Sequence, residues 1–133
     1  IPGMTLRLEL FVDDLEASKD FYARVLGFSA GEQHTDGYTP MRHGAIVLSL
    51  NLRSYLSENH PLRPKPNERP GRGLEIVLEM DNIDALYAHV QSQGWPIASP
   101  LQQQPWGLRD FRLVDPDDYY LRLTSRKPLI KEL

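Results

Sequence analysis

The stretch LRLELFVDDLEASKDFYARVLG, residues 6–27, sets the plan of this chain, because its layout returns from Leu74 onward. Leu6, Leu8, Leu10 and Val12 alternate with Arg7, Glu9 and Phe11, the two-residue period of a strand with one buried face. Asp13 or Asp14 then ends the strand and can accept hydrogen bonds from the free amides of a helical first turn. Leu15, Phe21, Tyr22, Val25 and Leu26 recur at helical spacing until Gly27 stops the helix. In the second copy Leu74, Ile76, Leu78 and Met80 alternate with Glu75, Val77 and Glu79. Asp81 and Asn82 are its caps, Ile83, Leu86, Tyr87 and Val90 its stripe, and Gly94 its stop. Placing Val12-Asp13-Asp14-Leu15 on Met80-Asp81-Asn82-Ile83 aligns the two with slight slippage at the helix end. A duplicated module follows from that alignment.

Downstream of Gly27, residues 28–34, 38–43 and 45–51 read as three short strands, with Thr35-Asp36-Gly37 and His43-Gly44 as turns. Residues 52–59 have weak helical character around Tyr55 and Leu56. The first βαβββ module therefore occupies residues 1–60. Residues 61–73, PLRPKPNERPGRG, form a proline-rich linker expected to follow an extended polyproline-like path, with its arginines and lysine in water. The second module and C-terminal tail take residues 74–133. There Pro96 to Ala98 and their neighbours give a short strand, Gln102 to Pro105 a polar loop, Leu108 to Val114 a strand, and Tyr119 to Thr124 the last strand. Asp118 falls where the intervening turn needs a left-handed backbone, which aspartate tolerates better than most residues. Leu129-Ile130 in the tail would either dock or fray.

At 133 residues the chain suits one compact domain or two half-size modules sharing a core. Hydrophobic content of 41% and charged content of 25% are ordinary for a soluble globular protein. No run approaches a membrane span and no basic-then-apolar leader precedes Leu6; Met4 would serve as a native start, leaving Ile1-Pro2-Gly3 either native or a remnant. The absence of cysteine removes disulfides, thiolate metal sites and cysteine nucleophiles, and suits the cytoplasm. A net charge of -3 gives no electrostatic reason to bind nucleic acid.

Two βαβββ modules, the VDDLEASKDFYARVLGF opening and the VDPDDYYLRL ending together resemble the vicinal oxygen chelate superfamily, which embraces glyoxalase I, extradiol dioxygenases and the fosfomycin- and bleomycin-resistance proteins. The resemblance implies an α+β fold in which each module's sheet curves into half a cup, with helices on its outer face. It also implies a two-fold homodimer in which modules of both chains complete each cup. The alternation agrees: Leu6, Leu8 and Leu10, Ile46, Leu48 and Leu50, Leu74, Ile76 and Leu78, and Leu121 and Leu123 would face the helices. Arg7, Glu9, Val47, Ser49, Asn51, Glu75, Val77, Glu79, Tyr120, Arg122 and Thr124 would line the opposite face, although a plainly solvated sheet face gives the same pattern.

Metal-dependent members of that superfamily carry histidine or glutamate at positions that correspond here to Arg7, Ser49, Glu75 and Arg122. Only Glu75 could be a ligand, since a guanidinium has no lone pair to donate and serine is a weak neutral donor. His34, His43, His60 and His89 are scattered without ligand spacing. A carboxylate site for magnesium built from Glu9, Glu75 and Glu79 remains an alternative. Neither metal nor other cofactor is therefore expected, and Glu75 between Arg7 and Arg122 would form a charge network. No glycine-flanked serine elbow and no glycine-rich phosphate loop occurs. Tyr120 or Glu9 could exchange protons, as could such groups in almost any polar pocket.

The segment QPWGLRDF, residues 104–111, is similar to one common in bleomycin-resistance-like members, where the tryptophan loop walls a ligand groove. Trp106, between proline and glycine, can offer a flat apolar face for stacking or pack across a dimer interface; Trp95 is expected at the module edge. Tyr38, His43 and Tyr55 would complete a rim, with Arg7, Glu9, Ser49 and Arg122 meeting polar groups. The resemblance thus implies a homodimer that captures a bulky, partly aromatic small molecule, an antibiotic or related natural product, with no nucleic-acid or membrane partner. The alternatives are a metal- or carboxylate-dependent lyase, isomerase or dioxygenase of the same superfamily, and an accessory protein of natural-product biosynthesis.

Overall fold

A computed structural model describes residues 1–126; Leu129-Ile130 lie outside the described residues. Each copy of the duplicated stretch forms a strand followed by a capped helix. β1, Leu8–Val12, precedes α1, Leu15–Asp20, where the Asp14 carboxylate accepts from the Ala17 amide at 3.1 Å. In the second copy β5, Ile76–Met80, precedes α2, Ile83–Ser92, and the Asn82 side-chain oxygen accepts from the Ala85 amide, also at 3.1 Å. The other candidate caps are turned to ion pairs, Asp13 with Arg53 and Asp81 with Arg126. Replacing either true cap, as Asp14→Ala or Asn82→Ala, is expected to cost about 1 kcal/mol in urea unfolding, since one amide of the first turn loses its acceptor.

The first helix does not run on as α-helix to Gly27. From Phe21 to Val25 it widens to a π turn, and the Leu26 amide reaches back to the Phe21 carbonyl at 3.3 Å. That extra residue per turn lets Phe21, Tyr22 and Val25 all be buried, with Phe21 and Tyr22 edge to face at 4.9 Å. On the solvent side Arg24 Nε and Nη2 grip Asp20, and this hydrogen bonding holds the Asp20 carboxyl below its ordinary range. The lowered folded-state value makes this contribution present at neutral pH and lost as the pH falls through it.

The remaining strands complete two four-stranded mixed sheets. The first contains β2 (Ser29–Ala30), β3 (Thr39–His43) and β4 (Ile46–Leu52), in the order β1-β4-β3-β2; β1 and β4 are parallel and the other pairs antiparallel. The second contains β6 (Ser99–Gln103), β7 (Arg109–Val114) and β8 (Tyr120–Ser125), in the matching order β5-β8-β7-β6. The chain divides into two compact units at Pro70/Gly71. The buried apolar set of the first includes Leu10, Val12, Phe21, Tyr22, Met41, Leu48 and Leu50; that of the second includes Ile76, Leu78, Ile83, Val90, Phe111, Leu113, Leu121 and Leu123. The architecture is thus the expected α+β duplication.

Four local expectations are corrected. Leu6 and Leu74 precede their strands and are exposed at 78% and 53%, because pairing begins only at Leu8 and Ile76. The strand expected over 28–34 is two residues long; beyond Gly31, whose amide bonds the Pro40 carbonyl, residues 32–36 are exposed. The strand expected at 96–98 lies at Ser99–Gln103 and takes in part of the presumed loop, accommodated by a register shift between Ser99 and Gln102. The linker is a chain of tight turns rather than an extended polyproline path. The His60, Arg63, Glu68 and Leu74 amides each bond the carbonyl three residues back, and Arg63 Nη1 donates to the Leu56 carbonyl at 2.6 Å. Those turns are compatible with the φ fixed by each proline. Asp118 has the expected positive φ of 68°.

Candidate functional site

Register fixes which polar residues share the sheet face turned away from the helices. In the first unit Glu9 pairs with Ser49 and Phe11 with Asn51, while Ser49 also faces Pro40 on β3. Glu9 is the hub. It pairs with Arg7 Nε at 2.9 Å, accepts from Asn51 Nδ2 at 3.1 Å, and lies 3.4 Å from the Tyr38 hydroxyl. Tyr38 donates to Ser49 Oγ at 2.9 Å, and Ser49 is fully buried. Four of the expected residues, Arg7, Glu9, Tyr38 and Ser49, therefore meet in one network.

Tyr55 stands in the 3-10 turn Arg53–Tyr55, exposed at 67%, and with Phe11, Asp36, Tyr38, Asn51 and Leu52 lines a hollow of about 90 Å³. His43 is elsewhere. It shares the parity of Met41 and packs its ring 5.4 Å from that of Phe28, on the helix-bearing face.

In the second unit the equivalent face is charged. Matching Leu48 and Leu121 as partners of β1 and β5 makes Ser49 and Arg122 equivalent, and carries Tyr38 onto Asp110. Glu75 receives two guanidiniums, Arg112 Nε at 3.3 Å and Arg122 Nε at 3.2 Å. The second arginine on Glu75 thus comes from β7 of the same sheet, while Arg7 is engaged with Glu9 in its own unit. Asp110 is fully buried; its Oδ1 accepts from Gln104 Nε2 at 2.7 Å and from Arg112 Nη1 at 3.5 Å, and its Oδ2 lies 4.0 Å from Arg122 Nη1 with no hydrogen bond. Asp110, Arg112 and Gln104 were missed as site residues. The available signal was parity, since 110 and 112 alternate with the core residues Phe111 and Leu113.

Trp106 sits on a turn closed by Gly107 and Gln104, with the Gly107 amide on the Gln104 carbonyl at 3.0 Å and Gly107 at a φ of 90°. Only glycine adopts that φ without strain. The indole is half exposed, and the Arg122 guanidinium carbon is 5.9 Å from its ring centroid. Because Gln104 also bonds Asp110, the loop bearing Trp106 is anchored to the charged floor. Trp95, by contrast, donates its indole N–H to the Val114 carbonyl at 2.9 Å, a packing position at the module edge.

The residues at the metal positions do not suit a divalent ion. Arg7 and Arg122 bear no lone pair, Ser49 is spent on Tyr38, and the one carboxylate, Glu75, already faces two cations. The alternative set of Glu9, Glu75 and Glu79 fares no better: Glu9 is taken by Arg7, Asn51 and Tyr38, Glu75 by two arginines, and among the described residues no three such carboxylates gather to hold an ion.

The Glyoxalase/Bleomycin resistance protein/Dioxygenase superfamily model matches residues 5–123. The "Bleomycin resistance protein" of Geobacillus stearothermophilus is 31% identical over 121 residues, covering 80% of this chain and 85% of that one. A Nocardioides glyoxalase/bleomycin resistance protein/dioxygenase structure aligns with a TM-score of 0.75 at 23% identity, over 99% of this chain and 91% of that chain. TioX from Micromonospora sp. ML1 aligns with a TM-score of 0.71 at 21% identity, over 94% and 100%. The chain belongs to the glyoxalase/bleomycin resistance/dioxygenase superfamily. Among its described residues no helix is long and apolar enough to cross a membrane.

Proposed function

We propose that this protein binds and sequesters a bulky, partly aromatic small molecule, an antibiotic or related natural product, without a metal and without breaking a bond. The observation that carries this reading is the pairing of Glu75 with two guanidiniums beside a half-exposed Trp106. With Asp110 as the second carboxylate facing Arg112 and Arg122, such a floor balances its own charge and offers donors and acceptors, while the indole offers a stacking face. In the second unit Trp106 would stack on a ligand and Arg122 would meet its polar groups; in the first unit Tyr38, Tyr55, Ser49, Glu9 and Arg7 offer polar groups on their own sheet face. The likeness to bleomycin resistance proteins supports the ligand class.

A homodimer is part of the proposal. Leu6 and Leu74 hold equivalent places in the two modules and each is exposed, as is Val77 at 41%; these are apolar side chains of the kind that a second chain would cover. A chain without cysteine suits the cytoplasm, the location proposed.

The test is the fate of the compound. Bleomycin incubated with a stoichiometric amount of protein, then released by denaturation, is expected to return with unchanged mass. A product of altered mass accumulating beyond one equivalent would instead establish a lyase, isomerase or dioxygenase.

A further inference from the structure

The first unit holds a hollow whose ring faces are a feature separate from the polar contacts above, although Tyr38 and Tyr55 belong to both. Phe11, Tyr38 and Tyr55 wall the hollow of about 90 Å³, with Asp36 at its rim and Asn51 and Leu52 completing it. Aromatic faces are negative and attract a cation lying over them, and walls of several rings with one carboxylate are the arrangement that recognises substituted ammonium groups. The volume suits a small ammonium head and is too small for a fused ring system.

Electrostatics point the same way. Asp36 uses one oxygen, Oδ1, to accept from the Tyr38 amide at 3.0 Å; Oδ2 accepts nothing among the described residues. Behind the hollow Asn51 and Tyr38 both lead to Glu9, whose charge is opposed by Arg7. The lining itself contains no cationic side chain. Tyr55 makes no hydrogen bond through its hydroxyl among the described residues, and its exposed ring is available to close over a guest.

We infer that the Phe11, Tyr38, Tyr55 and Asp36 hollow is a binding site for an organic ammonium group. Asp36 supplies the counter-charge and the three rings supply the cage. Tyr38 is shared, its hydroxyl serving the polar network and its ring the cage.

The experiment compares choline with 3,3-dimethyl-1-butanol, a neutral compound of the same shape, by chemical-shift perturbation on the labelled full chain. Choline is expected to bind at least fivefold more tightly than the alcohol and to move the signals of Phe11, Tyr38 and Tyr55. Asp36→Asn retains the Oδ1 acceptor for the Tyr38 amide and removes only the charge, so it is expected to preserve the fold and weaken choline about fivefold, in keeping with the modest strength of exposed cation-π and ion-pair contacts. Tyr55→Ala, an exposed substitution, is expected to remove most of the choline response. Equal affinity for choline and the alcohol, or choline shifts confined to other residues, would overturn the cage. A separate titration of the unaltered protein with bleomycin, read by tryptophan fluorescence, keeps the two proposals apart. Quenching by bleomycin without choline binding removes the cage alone, whereas choline binding without any bleomycin response removes the capture reading and leaves the ammonium site standing.

Discussion

Asp110→Ala is expected to destabilise the protein by about 3 kcal/mol, the largest loss of any substitution on the polar face, because removing one partner of a buried charge network leaves the others uncompensated. Asp110 is fully buried, and its removal strands Gln104 Nε2 and takes a counter-charge from Arg112 and Arg122. Asp110→Asn retains an acceptor for Gln104 and is expected to cost about half as much. Urea unfolding of both variants, followed by circular dichroism, measures the difference. Equal stability of wild type and Asp110→Ala would show that the two guanidiniums are satisfied by Glu75 and solvent alone. Glu75→Ala should be milder, since Glu75 remains partly exposed and water can replace it.

Trp106→Ala is expected to weaken bleomycin binding at least tenfold while leaving the unfolding midpoint close to that of wild type. The indole is half exposed, so its removal creates no core cavity, yet a large aromatic face at the centre of a contact commonly carries about 2 kcal/mol or more of binding. Trp95→Ala provides the opposite pattern. Its N–H is committed to the Val114 carbonyl, so stability should fall and affinity should not. Fluorescence titration of each single-tryptophan protein separates the two indoles: quenching carried by Trp95 in place of Trp106 would relocate the site.

The duplication was legible because its signals are local and redundant. Strand parity, a capping oxygen and a helix stop recur in order, and the two side chains that cap, Asp14 and Asn82, occupy the matching place in each copy. The departures occur where local pattern and hydrogen-bond supply diverge. Leu6 and Leu74 continue the apolar alternation, but among the described residues no strand partner reaches them. The prolines of the linker favoured an extended chain on composition alone, yet the same fixed φ serves turns once amides at 60, 63, 68 and 74 find carbonyls three residues back.

The site was legible to the extent that charge and position suffice. The union of Glu75 with Arg122 followed from their place on one sheet face; the choice of Arg112 as the second cation did not, because it depends on which strand lies beside β8. Asp110 was visible as a letter in the QPWGLRDF segment, but its burial depends on Gln104 and the arginines folding over it. His43 illustrates the reverse, a residue beside a glycine turn whose strand parity sends it to Phe28 and the helix-bearing face.

The most direct test of the account is calorimetric titration of metal-free bleomycin into the purified protein in excess EDTA. Saturable binding of the intact compound, unchanged by the chelator and weakened by Trp106→Ala, is the predicted result. Binding that vanishes in EDTA and returns only when the protein has taken up a divalent ion would contradict it.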